Sequence, residues 1–564
     1  GQQHQRNLTT SGNYQASQLY LTISKDENWV SGKTGTSEEY KDKQGQVVLK
    51  RTWKDESTPY STYYVYDDFG NLSFVLPPGA EPDNGGIDAT KLNKYCYQYR
   101  YDGRNRLIEK CIPGKDGWES TVYNTIDQAV LTQDPKQAQN GKWTFTKYDG
   151  LGRVVMSGEY ASSASRASLQ TTVNAQATNW ETYAGGTAGE GYSNQSFPTS
   201  STTPFTVNYY DGYTFPGSTT FGPLPVARSP KTHSLLTGTR TKVLGTSTML
   251  TSLTFYDEDG RVMQVKSQNY RGGVDSVLTT YTFTDEPDTV TRYHTSPGSS
   301  VTTRTRYVYD HMGRKTKTWE NINNAGEVLL SENEYNETGQ LWKKKLHNGA
   351  QTITYTYNER GWLASSITDR LDLRLRYNAP AKGAVPQYNG NISEQEYTGN
   401  KSGNRWFTYT YDPVNRLTTA ASSHASNKLG ETLTYDKMGN IQSLARGNYG
   451  SLAYTYDGNR LSAVSGFKTG SFGYDANGNT TTDGTRNLTI TYNELNLPSQ
   501  VTGNGTATYT YDATGNKLRS VQAGTTRDYI AGIQYTNGTI DFIQTEEGRA
   551  VRNTDGTYRY EYDL

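Results

Sequence analysis

The chain is poor in the residues that usually build a protein core. Hydrophobic residues fill 33% of its 564 positions and mean hydropathy is −0.82. Leu, Ile and Val are sparse, a composition that leans towards disorder. The 2 cysteines are too few for a disulfide framework or a cysteine metal cluster. No apolar run approaches the ~20 residues that span a bilayer, so membrane insertion is not expected. Gly1 opens no signal peptide, as in a cytosolic, processed or partial chain. Net charge is absent too, with 56 Lys+Arg against 56 Asp+Glu. A nucleic-acid or anionic-membrane partner wants a basic surface, and neither is expected.

What the chain has instead is 46 Tyr, 13 Phe and 9 Trp. Aromatics bury large areas and favour strands, and a neutral chain has no self-repulsion to keep it expanded. The composition therefore describes a folded protein in which tyrosine replaces aliphatics.

Those tyrosines recur in a unit. Near the C-terminus it reads Y-D-A-N-G-N from Tyr474-Asp475 and Y-D-A-T-G-N from Tyr511-Asp512, with a variant at Tyr492 between them. Earlier copies begin at Tyr456-Asp457, Tyr435-Asp436, Tyr411-Asp412, Tyr309-Asp310 and Tyr256-Asp257. Tyr148-Asp149, Tyr101-Asp102 and Tyr66-Asp67 follow toward the N-terminus, and Tyr335 and Tyr357 head copies with Asn in place of Asp. Residues before the motif alternate, as in Thr508-Tyr509-Thr510-Tyr511, which is the period of a half-buried strand. The Asp suits acceptance of turn amides, and the following Gly or Asn suits a left-handed residue. Each unit therefore predicts a β-hairpin, and successive hairpins predict one long antiparallel sheet.

A strip of this length exceeds the ~10 strands that an open twisted sheet tolerates before curling. Roughly 40 strands per turn at ~4.8 Å spacing would give a ring ~60 Å wide, too wide for side chains to fill. A hollow, spirally wound wall is expected, with a β-propeller as the rival. The spacing of 18 to 21 residues from Tyr435 to Tyr511 favours the strip, because propeller blades repeat at ~40–50. Residues 1–60 read as a lead-in and 61–564 as continuous shell. About 161–201, a Ser/Ala/Thr/Gly-rich stretch interrupts it as an insertion on the rim or surface, with a short helix around Leu169–Trp180.

The Y-D-x-x-G-[NR] units resemble the RHS/YD-repeat family of bacterial polymorphic toxins, toxin-complex shells and teneurins. Three stretches resemble its Bacteroidetes branch: Lys142-Trp143 through Y-D-G-L-G-R-V, P-Q-Y-N-G-N-I-S at Pro386–Ser393, and D-Y-I-A-G-I-Q-Y-T-N-G-T-I at Asp528–Ile540. The resemblance implies a secreted or surface-exposed bacterial β-shell that encloses a C-terminal effector. It implies as partners the core domain and effector of a longer protein, with secretion machinery or cell-surface glycans beyond them. The chain ends at Tyr562-Asp563-Leu564, before the family's core domain and self-cleaving aspartates would be expected. An adhesion module for cell-surface carbohydrate or protein stays open as the alternative.

Nothing in the chain reads as an active site, and no enzyme, cofactor or metal is expected. His4, His233, His294, His311, His347 and His424 are scattered without an i,i+4 pair and read as surface or turn residues. Asp257–Gly260 and Asp83–Asp88 only loosely suggest calcium loops, lacking full ligand spacing. Sequons such as Asn7 and Asn391 follow from an Asn/Thr-rich composition. The tyrosine rows read first as cross-strand packing. A binding role would fall to exposed aromatics, with Trp342, Trp362 and Trp406 as candidates. Cys96 and Cys111 flank a turn at Asp102–Asn105, where pairing Tyr101 with Arg106 sets the two thiols opposite each other. They are expected as neighbours within disulfide range.

Overall fold

The computed structural model describes residues 8–9, 12–225, 227–399, 403–424 and 429–563. His4, Asn7 and Leu564 lie outside them. Strands hold 51% of the chain and helices 7%, the expected all-β character. Among the described residues the sheet has 42 strands, from Tyr20–Ser24 to Tyr558–Tyr562. Strand after strand pairs antiparallel with the next in sequence. The first and last strands each carry one partner, so the sheet is not closed. A propeller of separate four-stranded blades is thereby ruled out.

The hairpin turns explain the motif residue by residue. Asp67 Oδ1 accepts from the amides of Phe69 and Asn71, both at 2.9 Å. The Asp67 amide donates to the Asn71 carbonyl, and the Gly70 amide donates back to Asp67, each at 2.9 Å. Gly70 sits at φ +80°, and where the glycine is missing Asn105 and Asn415 take φ +59° and +65°. The last motif residue serves the other carboxylate oxygen. Arg153 Nε donates to Asp149 Oδ2 at 2.6 Å, and Asn516 Nδ2 to Asp512 Oδ2 at 3.0 Å. The same two amide bonds recur at Asp102, Asp149, Asp257, Asp310, Asp412, Asp436, Asp475 and Asp512. Asp457 departs from this. Its turn is shorter, Asp457 pairs directly with Arg460, and its carboxylate meets Lys94 at 2.5 Å.

The tyrosine bolts each hairpin to the one before. Tyr435 Oη donates to the Leu417 carbonyl at 2.6 Å, just past the preceding turn, and Tyr66, Tyr101, Tyr148, Tyr256, Tyr309, Tyr411, Tyr456 and Tyr474 do likewise. The turn arginine then covers the next tyrosine ring, with Arg416 4.8 Å from Tyr435 and Arg314 4.6 Å from Tyr335. A bulge precedes the motif tyrosine, as between Thr434 and Tyr435, and adds local twist.

That bulge corrects the expected cysteine register. The turn runs one residue longer, with Tyr101 opposite Leu107, and the bulge between Arg100 and Tyr101 shifts pairing once more. Gln98 therefore faces Cys111, and Cys96 lies two residues beyond it as the C-cap of the helix Ala89–Tyr95. Both thiols are free and buried, and burial pushes that of Cys96 up to about 12.

Contacts divide the chain into two compact units. The first comprises Gly1–Thr121, Gln133–Asn140 and Tyr355–Thr489. Its cores centre on Phe74, Leu76 and Cys96, and on Leu433, Leu444, Leu452 and Val464. Here the Pro386–Ser393 segment grips the N-terminal stretch. Asn28 donates to Gln387 Oε1 at 2.8 Å and accepts from the Tyr388 amide at 2.7 Å, and Asn389 donates to Asp26 at 3.0 Å.

The second unit comprises Val122–Thr132, Gly141–Thr354 and Ile490–Leu564. In Lys142–Tyr148, Trp143, Phe145 and Lys147 are buried while the residues between them are half-buried, so the expected alternation is realised. The insertion is not confined to the surface. Its helix spans Arg166–Asn174, capped by Ser165, and not Leu169–Trp180. Leu169 and Val173 lie one helical turn apart and join the largest core cluster with Trp143 and Phe145.

Glu320, at 5% exposure, accepts from Thr305 Oγ1 at 2.8 Å, and burial pushes its carboxyl up to about 7. Its folded pKa lies above the unfolded ~4.3, so between those values the folded state holds the extra proton and stability falls as pH rises. Glu320→Gln should remove that slope, shifting the stability gap to wild type by on the order of 3 kcal/mol between pH ~4.5 and ~7.5. Denaturant titrations at both pH values check this, and a gap that does not move would refute it.

Tyr435→Phe should cost about 1 kcal/mol for one lost hydrogen bond, and Asp436→Ala about 2–3 kcal/mol for two orphaned turn amides. Urea unfolding of the two variants tests the order, and a Tyr435→Phe loss exceeding that of Asp436→Ala would overturn it.

Candidate functional site

The candidate aromatics fall in different units. Trp342 is exposed on a strand of the second unit with Lys343 4.1 Å from its ring. In the first unit, Trp362 packs 5.0 Å from Tyr377, and Trp406 has Lys382 at 4.9 Å. The loosely calcium-like aspartates are otherwise engaged. Asp257 serves its turn and Arg261, and Asp83 accepts from Arg51 and Tyr63. Among the described residues, no group of three His, Cys, Asp or Glu is placed to hold a metal.

One histidine is not at the surface. His294 is 1% exposed, with Nδ1 2.7 Å from Asp275 and Nε2 2.6 Å from Tyr535 Oη. Tyr535 Oη also meets Ser296 and Ser299 at 2.9 and 2.8 Å. Arg292 holds Asp275 at 2.7 Å, and Arg271 holds Asp528 at 2.7 Å. The expectation of a surface histidine fails because its partner Tyr535 lies 241 positions away in sequence. The Asp528–Ile540 stretch thus sets the buried Asp528 and Tyr535 against Arg271 and His294.

A cleft in the second unit is formed in part by the insertion. Its volume is about 620 Å³, within the range of small-molecule clefts. One wall is the hairpin turn Asp149–Arg153, the other the segments 180–183 and 209–215. The glycine-rich run after Tyr183 folds back on itself. Gly185, Gly186, Gly189 and Gly191 all have positive φ, and the Ala184 amide donates to the Gly191 carbonyl at 2.8 Å. A Cβ on Gly191 would sit 2.8 Å from the Tyr183 ring, so only glycine lets that ring pack there. The rings form a continuous floor. Tyr209 stacks on Phe215 at 4.2 Å and 6°, and Tyr192 stacks on Tyr209 at 5.9 Å. Gly238 makes room, since a Cβ there would come within 1.9 Å of Phe215.

A buried ion pair anchors this floor. Glu181 takes Lys147 Nζ at 2.9 Å and the Ser193 and Ser196 hydroxyls at 2.7 Å each. It also takes the Gln195 and Ser196 amides at 3.0 and 3.1 Å. Burial works against its charge, yet Lys147 and the two serines hold its carboxyl below the ordinary range. At the mouth, Arg153 joins Asp149 at 2.6 Å to Asp211 at 2.9 Å and covers the Tyr210 ring at 4.3 Å. Of these residues, Tyr148 and Asp149 were legible as a repeat turn. Gly-rich sequence flanked by tyrosines was the available signal for the rest.

Residues 387–523 match the teneurin YD-shell family. No curated protein matches the chain. Among solved structures it is similar to a chain of TcdB2-TccC3, with TM-score 0.66 and 15% identity over 94% of this chain and 27% of that one. The same values hold for TcdB2-TccC3-Cdc42. The Tc holotoxin pore of Photorhabdus luminescens matches with TM-score 0.62 and 15% identity, over 94% of this chain and 26% of that one. The chain thus spans about a quarter of the solved chains it matches. The likeness is one of fold, and the fold is that of a YD-repeat shell.

Removing one partner of a buried ion pair strands the other, at a cost of about 3–5 kcal/mol. Glu181→Ala should therefore destabilise the second unit by that amount, and hydrogen exchange should rise in residues 181–196. Exchange unchanged in that loop would show that Glu181 does not anchor it.

Proposed function

We propose that this YD-repeat chain is the non-catalytic wall of an RHS-type secreted or surface protein, and that it encloses a C-terminal effector. The observation that carries this reading is the run of antiparallel hairpins within each unit, in which tyrosine hydroxyls and turn arginines bolt hairpin to hairpin. Such a wall resists local opening without needing a filled interior. Its likeness to the toxin-complex chains over 94% of its length supports the shell role. TcdB2 and TccC3 occur together in those structures, which supports an effector component as the partner here. The core domain, secretion machinery and an extracellular address belong to the same proposal.

The repeat aspartates support the non-catalytic part. Burial works against the charge of Asp102 and Asp257, yet Arg106, Arg261 and the turn amides hold both below the ordinary range. A carboxylate so held stays ionised and is a poor general acid. Purified chain should keep a single intact mass from about pH 4 to about pH 9. A discrete fragment abolished by one Asp→Asn change would place self-cleavage chemistry within these residues. With an effector domain fused after Leu564, the effector should survive a protease that digests it when free. Equal digestion rates would sink the enclosing role.

A further inference from the structure

We infer that the cleft between Asp149–Arg153 and the insertion is a binding site for a neutral saccharide. Trp180 and Tyr183 line its edge and are 44% and 42% exposed, so ring surface is left uncovered there. The backbone between them and the Tyr183 ring are fixed. The Glu181 amide between them donates to the Tyr148 carbonyl at 2.7 Å, and Tyr183 Oη donates to the Thr214 carbonyl at 2.6 Å. A ring so tied does not have to be frozen on binding.

The chemistry of the cleft selects the ligand class. The phenol hydroxyls of the floor are already spent, Tyr192 on Asn208 at 2.6 Å, Tyr209 on Glu190 at 3.0 Å and Tyr213 on Thr254 at 3.1 Å. The uncovered ring surface is that of Trp180 and Tyr183, since Tyr192, Tyr209 and Phe215 are buried, and it suits the C–H face of a pyranose. The charges left at the mouth are the Asp149 and Asp211 carboxylates against the single guanidinium of Arg153. That surplus of negative charge disfavours phosphate, sulfate or carboxylate ligands and leaves acceptor lone pairs for hydroxyl donors. A flat apolar face ringed by hydroxyls is the signature of a neutral sugar. The volume of about 620 Å³ suits a short oligosaccharide. This reading does not depend on an enclosed effector, since the cleft is formed wholly by residues 149–215.

The test uses the full chain and calorimetry against neutral trisaccharides of glucose, galactose, mannose and N-acetylglucosamine. At least one should bind with a Kd of about 1 mM or tighter. Trp180→Ala should weaken binding at least about tenfold, while Trp180→Phe, which keeps a flat ring, should recover part of the loss. Trp342→Ala, on a separate strand, should leave affinity unchanged, and circular dichroism should confirm that every variant is folded. Sialylated or sulfated trisaccharides should fail to compete. No binding across the neutral panel, binding indifferent to Trp180→Ala, or preference for an anionic sugar or a proline-rich peptide would each overturn the inference.

Discussion

Everything in this fold hangs on a carboxylate that satisfies a turn. A tight five-residue connection leaves amides pointing inward with no strand partner, and an unpaired buried amide is expensive. The motif aspartate takes two of them on one oxygen and offers the other to the Arg or Asn that ends the motif. That second contact aims the arginine at the next tyrosine ring, whose own hydroxyl reaches back past the turn. A local requirement of one hairpin thereby becomes an attachment between neighbouring hairpins. Repetition of this bond set lets a chain with 33% hydrophobic residues hold an extended sheet. Tyrosine is the residue for this, because it supplies ring area and a directional donor at once.

A sheet held only by nearest neighbours would fold like a one-dimensional array, with little to set its long-range arrangement. Two stretches outside the repeat provide that in the separate units. In the first, Asn389 and Asn415 share Asp26 across more than 360 positions of chain. In the second, Tyr535 and Asp528 engage His294 and Arg271 from the far end of the sequence. These contacts are polar and range from the buried His294–Tyr535 bond to the exposed Asn415–Asp26 one. They specify which strands meet more than they add stability.

The insertion shows the same economy. Its glycines are needed at particular positive φ values, and its buried Glu181 collects five donors and so fixes the loop around itself. The result is an ordered aromatic floor on an otherwise repetitive wall. Departure from the repeat is where a chain of this kind can carry recognition, because the repeat residues are committed to holding one another.

By itself the sequence determined the hairpins, their order and the roles of Asp67, Gly70 and their counterparts, because each is a contact within a few residues and local spacing encodes local bonds. It did not determine the register of Cys96 and Cys111. A bulge moves pairing by one residue without any mark in composition, and that step left Gln98 facing Cys111. Nor did it reveal that His294 is buried, or that Leu169, Val173 and Tyr192 enter the core. Their environments come from residues tens to hundreds of positions distant. Only tertiary structure could decide them, because burial and ion pairing depend on which strands folding brings together, and the repeat makes every strand locally alike.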